Sequence, residues 1–335
     1  MGFCQFGAIG YLCRQLGVSF HPWFMQLWDS LASVSASHSV LTLGFFDGVH
    51  LGHQALLREV VGYARQHHCP SVVVTLWPHP RIVLGKEPGG FHLINGLNYK
   101  LELLEACGVD GVVVLEFTLE LAHQSPLEFL QRVVGMPSCP RCIFMGYDHR
   151  FGRGGAGDFT VLGQFCKPLG IDARQGLPLQ LDGLEVSSTL VRRAIQQGDT
   201  AYAARLMGRN FSFRGTVAHG FRLGQRMGFP TANIEPYEPW QLVPGHGVYE
   251  GWCQIRTGSG VDRFKAVVNV GTRPTVSSGR AVSIEAHLLD FQGDLYGQEL
   301  EVGFIRKLRP ELKFSSVDDL RAQIAKDVEC VRTGR

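Results

Sequence analysis

His50 and His53 stand three residues apart in the run Gly44-Phe45-Phe46-Asp47-Gly48-Val49-His50-Leu51-Gly52-His53. Two imidazoles at this spacing, with a small residue at Gly52, can point into one pocket while an anion approaches the backbone. Imidazoles so placed neutralise charge that develops on a departing phosphate. The run falls between a β-branched segment and an amphipathic one, where fresh amides and the helix dipole favour bound phosphate. Gly44, Phe46, Asp47 and Gly52 are therefore candidate ATP contacts, with His50 and His53 as the catalytic pair. A glycine-rich turn with two surface histidines is the alternative; the joint presence of Asp-Gly and H-x-G-H disfavours it.

A second cluster, Ser187-Ser188-Thr189 with Arg192, offers hydroxyls, free amides at a helix start and a cation within one turn. By itself it is a good N-cap, and it becomes a phosphate site only where the fold supplies a nucleotide. A third lies further on. If residues 231 to 233 are extended, Thr231 and Asn233 share a face, and a hydroxyl and an amide oxygen so placed can hold Mg²⁺ and a phosphate together. In Ser283 to Leu288 the alternation turns Ile284, Ala286 and Leu288 one way and Glu285 and His287 the other. Glu285 is then a candidate base for a substrate hydroxyl, with a solvated strand face as the alternative. Cys139 and Cys142 form an isolated C-x-x-C with no second pair at zinc spacing, and read as two buried thiols.

These residues need elements to position them. From Ser39 to Ser188, short β-branched runs alternate with helical periodicity, as in a parallel sheet with crossover helices. Strands are expected at Val40 to Gly44, Ser71 to Leu76, Val112 to Leu115 and Cys142 to Met145, and helices at His53 to Gln66 and Asn98 to Cys107. Ser125-Pro126-Leu127-Glu128 reads as a capping box. After about Met207 the texture changes to short strands separated by Gly and Pro, the mark of a small β-barrel, until Ser316 and Asp319 cap a last helix. The fold class is thus a Rossmann-like α/β domain followed by an all-β barrel with a C-terminal helix. The expected divisions are an extension over 1–37, a first domain over 38–203 and a second over 204–335.

With 335 residues, 45% hydrophobic and 19% charged, the chain is expected to be globular and long enough for two cores. A net charge of +2 supplies no global field for a nucleic acid or an anionic membrane, so neither partner is expected. Nine cysteines, an odd number in a chain of this size, argue against a disulfide framework and for a cytoplasmic setting. Neither a signal peptide nor a membrane span is expected. No oligomeric state is implied.

The GFFDGVHLGH run, Pro78-His79-Pro80, Gly146-Tyr147-Asp148-His149-Arg150-Phe151-Gly152 and VSSTLVR occur in the order seen in bacterial bifunctional riboflavin kinase/FAD synthetases, whose adenylyltransferase module this half resembles. The second half resembles the riboflavin kinase module. Its Phe213-Arg214-Gly215-Thr216-Val217, Gly228-Phe229-Pro230-Thr231-Ala232-Asn233, Gly247-Val248-Tyr249-Glu250-Gly251, Asn269-Val270-Gly271, Glu285-Ala286-His287, Asp294-Leu295-Tyr296-Gly297 and Arg309-Pro310-Glu311 runs carry the likeness.

The resemblance implies phosphorylation of riboflavin to FMN and adenylylation of FMN to FAD, with ATP as co-substrate and Mg²⁺ as cofactor, and a six-stranded Greek-key barrel. It further implies that Gly224, Thr231 and Asn233 bind Mg²⁺-ATP, that Glu285 activates the ribityl hydroxyl, and that Asp148, Arg150, Tyr249 and Arg309 meet the flavin. The partners implied are the small molecules riboflavin, FMN and ATP. His149, Gly155 and Gln225 depart from the family pattern. Three other readings stay open: an adenylyltransferase with a non-catalytic flavin-binding barrel, against which Thr231, Asn233 and Glu285 argue; a non-catalytic flavin carrier, which would not need H-x-G-H; and a nucleotidyltransferase acting on another phosphorylated substrate, which the kinase-like second half disfavours.

Overall fold

The computed structural model describes residues 25–28, 34, 38–85, 90–134, 139–219, 224, 227–257, 260–274 and 280–334. Gln225 lies outside them. In the first half the elements run β1 (Gln26–Trp28), β2 (Val40–Leu43), α1 (Leu51–Gln66), β3 (Ser71–Trp77), α2 (Pro80–Val83), α3 (Leu97–Ala106), β4 (Gly111–Glu116), α4 (Leu119–His123), α5 (Pro126–Val134), β5 (Cys142–Met145), α6 (Phe159–Cys166), β6 (Asp172–Gln175) and the hairpin β7 (Gln180–Leu181) and β8 (Leu184–Glu185). In the second they run α7 (Ser188–Gln197), α8 (Thr200–Met207), β9 (Phe211–Ala218), β10 (Ala232–Pro236), β11 (Gly247–Thr257), β12 (Gly260–Pro274), β13 (Arg280–Leu288), β14 (Glu299–Arg309) and α9 (Val317–Thr333).

Two compact units result: described residues up to Phe91 with Leu97–Val186 form one, and His92–Gly96 with the described residues from Ser187 onward form the other. In the first, six parallel strands are ordered β1-β4-β3-β2-β5-β6. The all-apolar runs Val72–Val74 and Val112–Leu115 are buried on both faces, which is why they read as continuous rather than alternating. The chain steps outward from β2 through β3 to β4, then returns to lay β5 on the other side of β2. That reversal makes a crevice at the carboxyl ends of β2 and β5. The capping box is formed: Ser125 N donates to Glu128 Oε2 at 2.7 Å and Glu128 N to Ser125 Oγ at 3.3 Å.

The extension is partly absorbed into this sheet. Gln26–Trp28 adds a parallel edge strand against Gly111–Val113, and Trp28 packs on the core that also buries Val34. A side chain at Gly111 would collide with the Trp28 ring, so the glycine makes the pairing possible.

The second unit contains a closed barrel in the order β10-β13-β12-β11-β14-β9, antiparallel throughout. Phe211, Phe213 and Phe304 fill it, with ring centroids 5.9 to 6.4 Å apart. The expectation of short strands is corrected at the hairpin, where β11 and β12 run 11 and 15 residues. Helix α9 lays Val328 and Val331 on Val248, Val267 and Leu289. Helix α8 packs on β9 and β14, so a division between residues 203 and 204 would cut through it.

Candidate functional site

The H-x-G-H loop leaves β2 at the crevice. Phe46, Gly48 and Val49 hold φ of 51°, 84° and 36°, and such conformations on non-glycine residues cluster where function constrains the backbone. His50 is the N-cap of α1: its Nδ1 accepts from His53 N at 3.3 Å. The other ring nitrogen, Nε2, must then carry the proton in the neutral imidazole and is a donor. The two rings stack at 3.6 Å, and the Phe46 ring meets His53 edge-on at 5.1 Å. Gly44 leaves room for that Phe46 ring, which a Cβ would approach to 2.9 Å. Gly52 has two close neighbours, the Val186 carbonyl at 3.0 Å and the His50 ring at 3.2 Å from where a Cβ would sit.

The loop after β5 brings the flavin candidates to the same crevice. Asp148 is exposed, and Arg150 Nη1 reaches Asp158 Oδ2 at 3.3 Å across the surface. The Phe45 ring lies 4.8 Å from His79 and 6.1 Å from His149, and His79 stacks on Phe91 at 4.5 Å. Burial pushes His149 down to about 4, so at neutral pH it presents a flat, uncharged ring. Gly155 has φ of +70°, where a side chain would be strained and would press on Arg150.

One buried charged residue beside the histidine loop has no counterpart among the sequence expectations. Lys100 is buried on α3 at an apolar position, beside Leu97, Leu101 and Leu104. Its Nζ donates to Phe45 O at 3.2 Å and to Thr75 Oγ1 at 3.1 Å, and lies 5.5 Å from the Trp77 ring centroid. Burial lowers it to about 8, against a smaller opposing pull from the Asp47 carboxylate. A lysine in the apolar stripe of an amphipathic helix was the available signal.

In the second unit Ser187 caps α7, accepting from Leu190 N at 3.3 Å, so Ser188 and Thr189 form its first turn, and Arg192 Nε donates to His92 O at 2.9 Å. On the barrel, Asn233 pairs directly with Glu285, and Glu285 in turn with Asn269. Cross-strand partners project from one face, so three polar side chains stand in a row. Asn233 Oδ1 is buried with no hydrogen-bond partner. His287, on the face of Glu285, ties the loop to β13 through a 2.8 Å contact of Nδ1 with Pro230 O. Gly224 accepts from the Met227 and Phe229 amides, and a Cβ there would lie 3.3 Å from the Thr231 side chain. Thr231 in turn lines a cleft of about 510 Å³ with Pro230, Leu288 and the Phe291–Tyr296 segment.

Three expectations need correction. Tyr249 is fully buried, its hydroxyl donating to Gly245 O and its ring edge-on to Phe304 at 5.4 Å, so it is core and presents no surface to a flavin. Arg309 is occupied: Nε and Nη2 donate to Asp327 at 2.8 to 3.1 Å and Nη1 to Pro310 O at 3.2 Å. It pins the chain after β14 to the last helix. Of the C-x-x-C thiols only Cys142 is buried, with burial raising it to about 12, and Cys139 is exposed. Among the described residues no group of three or more His, Cys, Asp or Glu side chains could hold a metal, and no helix is long and apolar enough to cross a membrane.

Residues 33–190 match the FAD synthetase family and residues 207–334 the riboflavin kinase family. The bifunctional riboflavin kinase/FMN adenylyltransferase of Haemophilus influenzae is 36% identical over 292 residues, covering 87% of this chain and 92% of its own. The chain belongs to this bifunctional family. The Pseudomonas fluorescens member is 37% identical over 310 residues, 92% of this chain and 97% of its own. A crystal structure from Streptococcus pneumoniae, named Macrolide-efflux Protein, superposes with a TM-score of 0.81 at 29% identity, over 92% of this chain and 99% of that one.

Proposed function

We propose that the second unit phosphorylates riboflavin to FMN and that the first transfers AMP from ATP to FMN, each with its own site. What supports this reading is that the H-x-G-H loop and the Asn233–Glu285 pair belong to different compact units.

In adenylylation, an oxygen of the FMN phosphate attacks the α-phosphorus of ATP, the bond to the bridging oxygen breaks, and pyrophosphate leaves. His50, donating through Nε2, and His53 meet the charge that gathers on the leaving group. Gly44, Phe46, Asp47 and Gly52 shape the loop around the nucleotide. Ser187, Ser188, Thr189 and Arg192, the other candidates for ATP phosphates, belong to the second compact unit and are given no part in this site. Asp148 and Arg150 face the flavin nucleotide, with the tilted Phe45, His79 and His149 rings beside it.

In the kinase step, Glu285 takes the proton of the ribityl 5′-hydroxyl as its oxygen attacks the γ-phosphorus, and ADP leaves. Gly224 and Thr231 line the ATP side. Asn233 Oδ1 and Thr231 Oγ1 are hard oxygen donors, and the orphaned Oδ1 fits a divalent cation, so these two are proposed to hold Mg²⁺. Bound there, the ion would neutralise phosphate charge.

The test is a pair of variants assayed for both steps. Glu285→Gln should lose riboflavin phosphorylation and keep FMN adenylylation, and His53→Ala should do the reverse. Loss of both steps from either change, in a protein with unaltered circular dichroism, contradicts two independent sites.

A further inference from the structure

We propose that Lys100 is a positioning residue of the adenylylation step, whose ammonium group fixes the H-x-G-H loop through the Phe45 carbonyl. This rests on the reading of that loop as the adenylyl-transfer site.

The geometry is specific. Lys100 Nζ, Thr75 Oγ1 and Phe45 O form a closed triangle: Nζ donates to both oxygens at 3.2 and 3.1 Å, and Thr75 Oγ1 donates to Phe45 O at 3.2 Å. Phe45 immediately precedes Phe46, the first of the positive-φ residues, and its own ring faces His79 and His149. One buried cation therefore holds the peptide from which both the histidine loop and the aromatic cluster depart. A merely structural anchor would be cheaper as an uncharged donor, because an ammonium group buried at 3% exposure carries a desolvation cost. A positive charge beneath a loop that receives a polyphosphate is what such a cost can serve. The charged group facing it is the Asp47 carboxylate, from the loop. From β3 it meets the Thr75 hydroxyl and the Trp77 ring, neither of which titrates.

Loss of the proton near pH 8 removes the positive charge beneath the loop and weakens the hydrogen bond to the Phe45 carbonyl, so adenylylation falls as pH rises through that value. Stability moves the other way. The folded lysine titrates near 8 and the unfolded one near 10.5, so between these values the unfolded chain binds more protons and folding is favoured as pH rises. A purely structural lysine would not separate the two trends.

The experiment uses the full-length protein with ATP and Mg²⁺, and measures FMN adenylylation and riboflavin phosphorylation from pH 6.5 to 9.5 for wild type, Lys100→Met, Thr75→Val and His53→Ala. Lys100→Met should lower the adenylylation kcat about tenfold or more and abolish its alkaline limb, with phosphorylation unchanged. Thr75→Val, which keeps the charge, should retain the limb with a smaller loss. Should Lys100→Met fail to fold, Lys100→Gln, which keeps a donor for the Phe45 carbonyl without the charge, takes its place, and wild-type adenylylation rates and pH profile in it overturn the proposal. Wild-type rates and pH profile in folded Lys100→Met overturn it too, provided His53→Ala is inactive. An active His53→Ala would remove the reading of the loop on which the proposal stands.

Discussion

In the proposed reading Glu285 and His53 carry the two steps, so removing either should leave the other step intact. A general base contributes roughly 10²–10⁴ in rate, so Glu285→Gln should reduce phosphorylation by about that factor, read from the initial rate of FMN formation. Beside the proposed flavin site, His149→Phe should leave the KM for FMN unchanged because the histidine is already neutral at pH 7, whereas His149→Lys should raise it by placing a charge where burial pushes a proton off. The placement of the histidine loop at a strand-to-helix turn and of Glu285 and His287 on one strand face was legible because each depends on residue type and local spacing. Lys100, Tyr249 and Arg309 were not. Whether a tyrosine is core or contact depends on what packs around it. The guanidinium of Arg309 is claimed by Asp327, a residue 18 positions along the chain that no local pattern connects to it.

At the scale of elements, that Arg309–Asp327 pair is the clearest tie between the barrel and its last helix, with side chains only 15% and 6% exposed. Removing one partner of a buried pair strands the other, so Asp327→Ala should cost about 3 kcal/mol in denaturant unfolding. Ser125→Ala, which breaks the box at the start of α5, should cost about 1 kcal/mol by the same measurement. Caps and amphipathic helices were readable because each is settled within a few residues. Barrel strand lengths were not, since glycines inside strands look like turns. Gly251 admits the backbone of Gly303, and Gly271 the side chain of Glu311, so both glycines sit within continuous strands. The edge strand Gln26–Trp28 is three residues long and is identified only by its partner, β4.

At the scale of the whole molecule, the sequence texture separated an α/β half from a barrel half, but a boundary between residues 203 and 204 divides α8, whose Ala203, Leu206 and Met207 are buried. Contact across sequence decides this: α8 packs on β9 and β14, and His92–Gly96 belongs with the later residues through Leu93 N to Trp240 O and Leu242 N to Leu93 O bonds of 2.8 Å each. A fragment beginning at Ser187 should therefore fold and phosphorylate riboflavin better than one beginning at residue 204, compared by thermal unfolding and FMN formation. The central claim, two sites on one chain, is tested most directly by a chromatographic time course of purified protein with ATP and Mg²⁺, started once from riboflavin and once from FMN, for wild type, Glu285→Gln and His53→Ala. The account predicts FMN then FAD for wild type, FAD only from FMN for Glu285→Gln, and accumulation of FMN for His53→Ala; a single folded variant that loses both conversions, or a wild type that binds flavin and converts none, would contradict it.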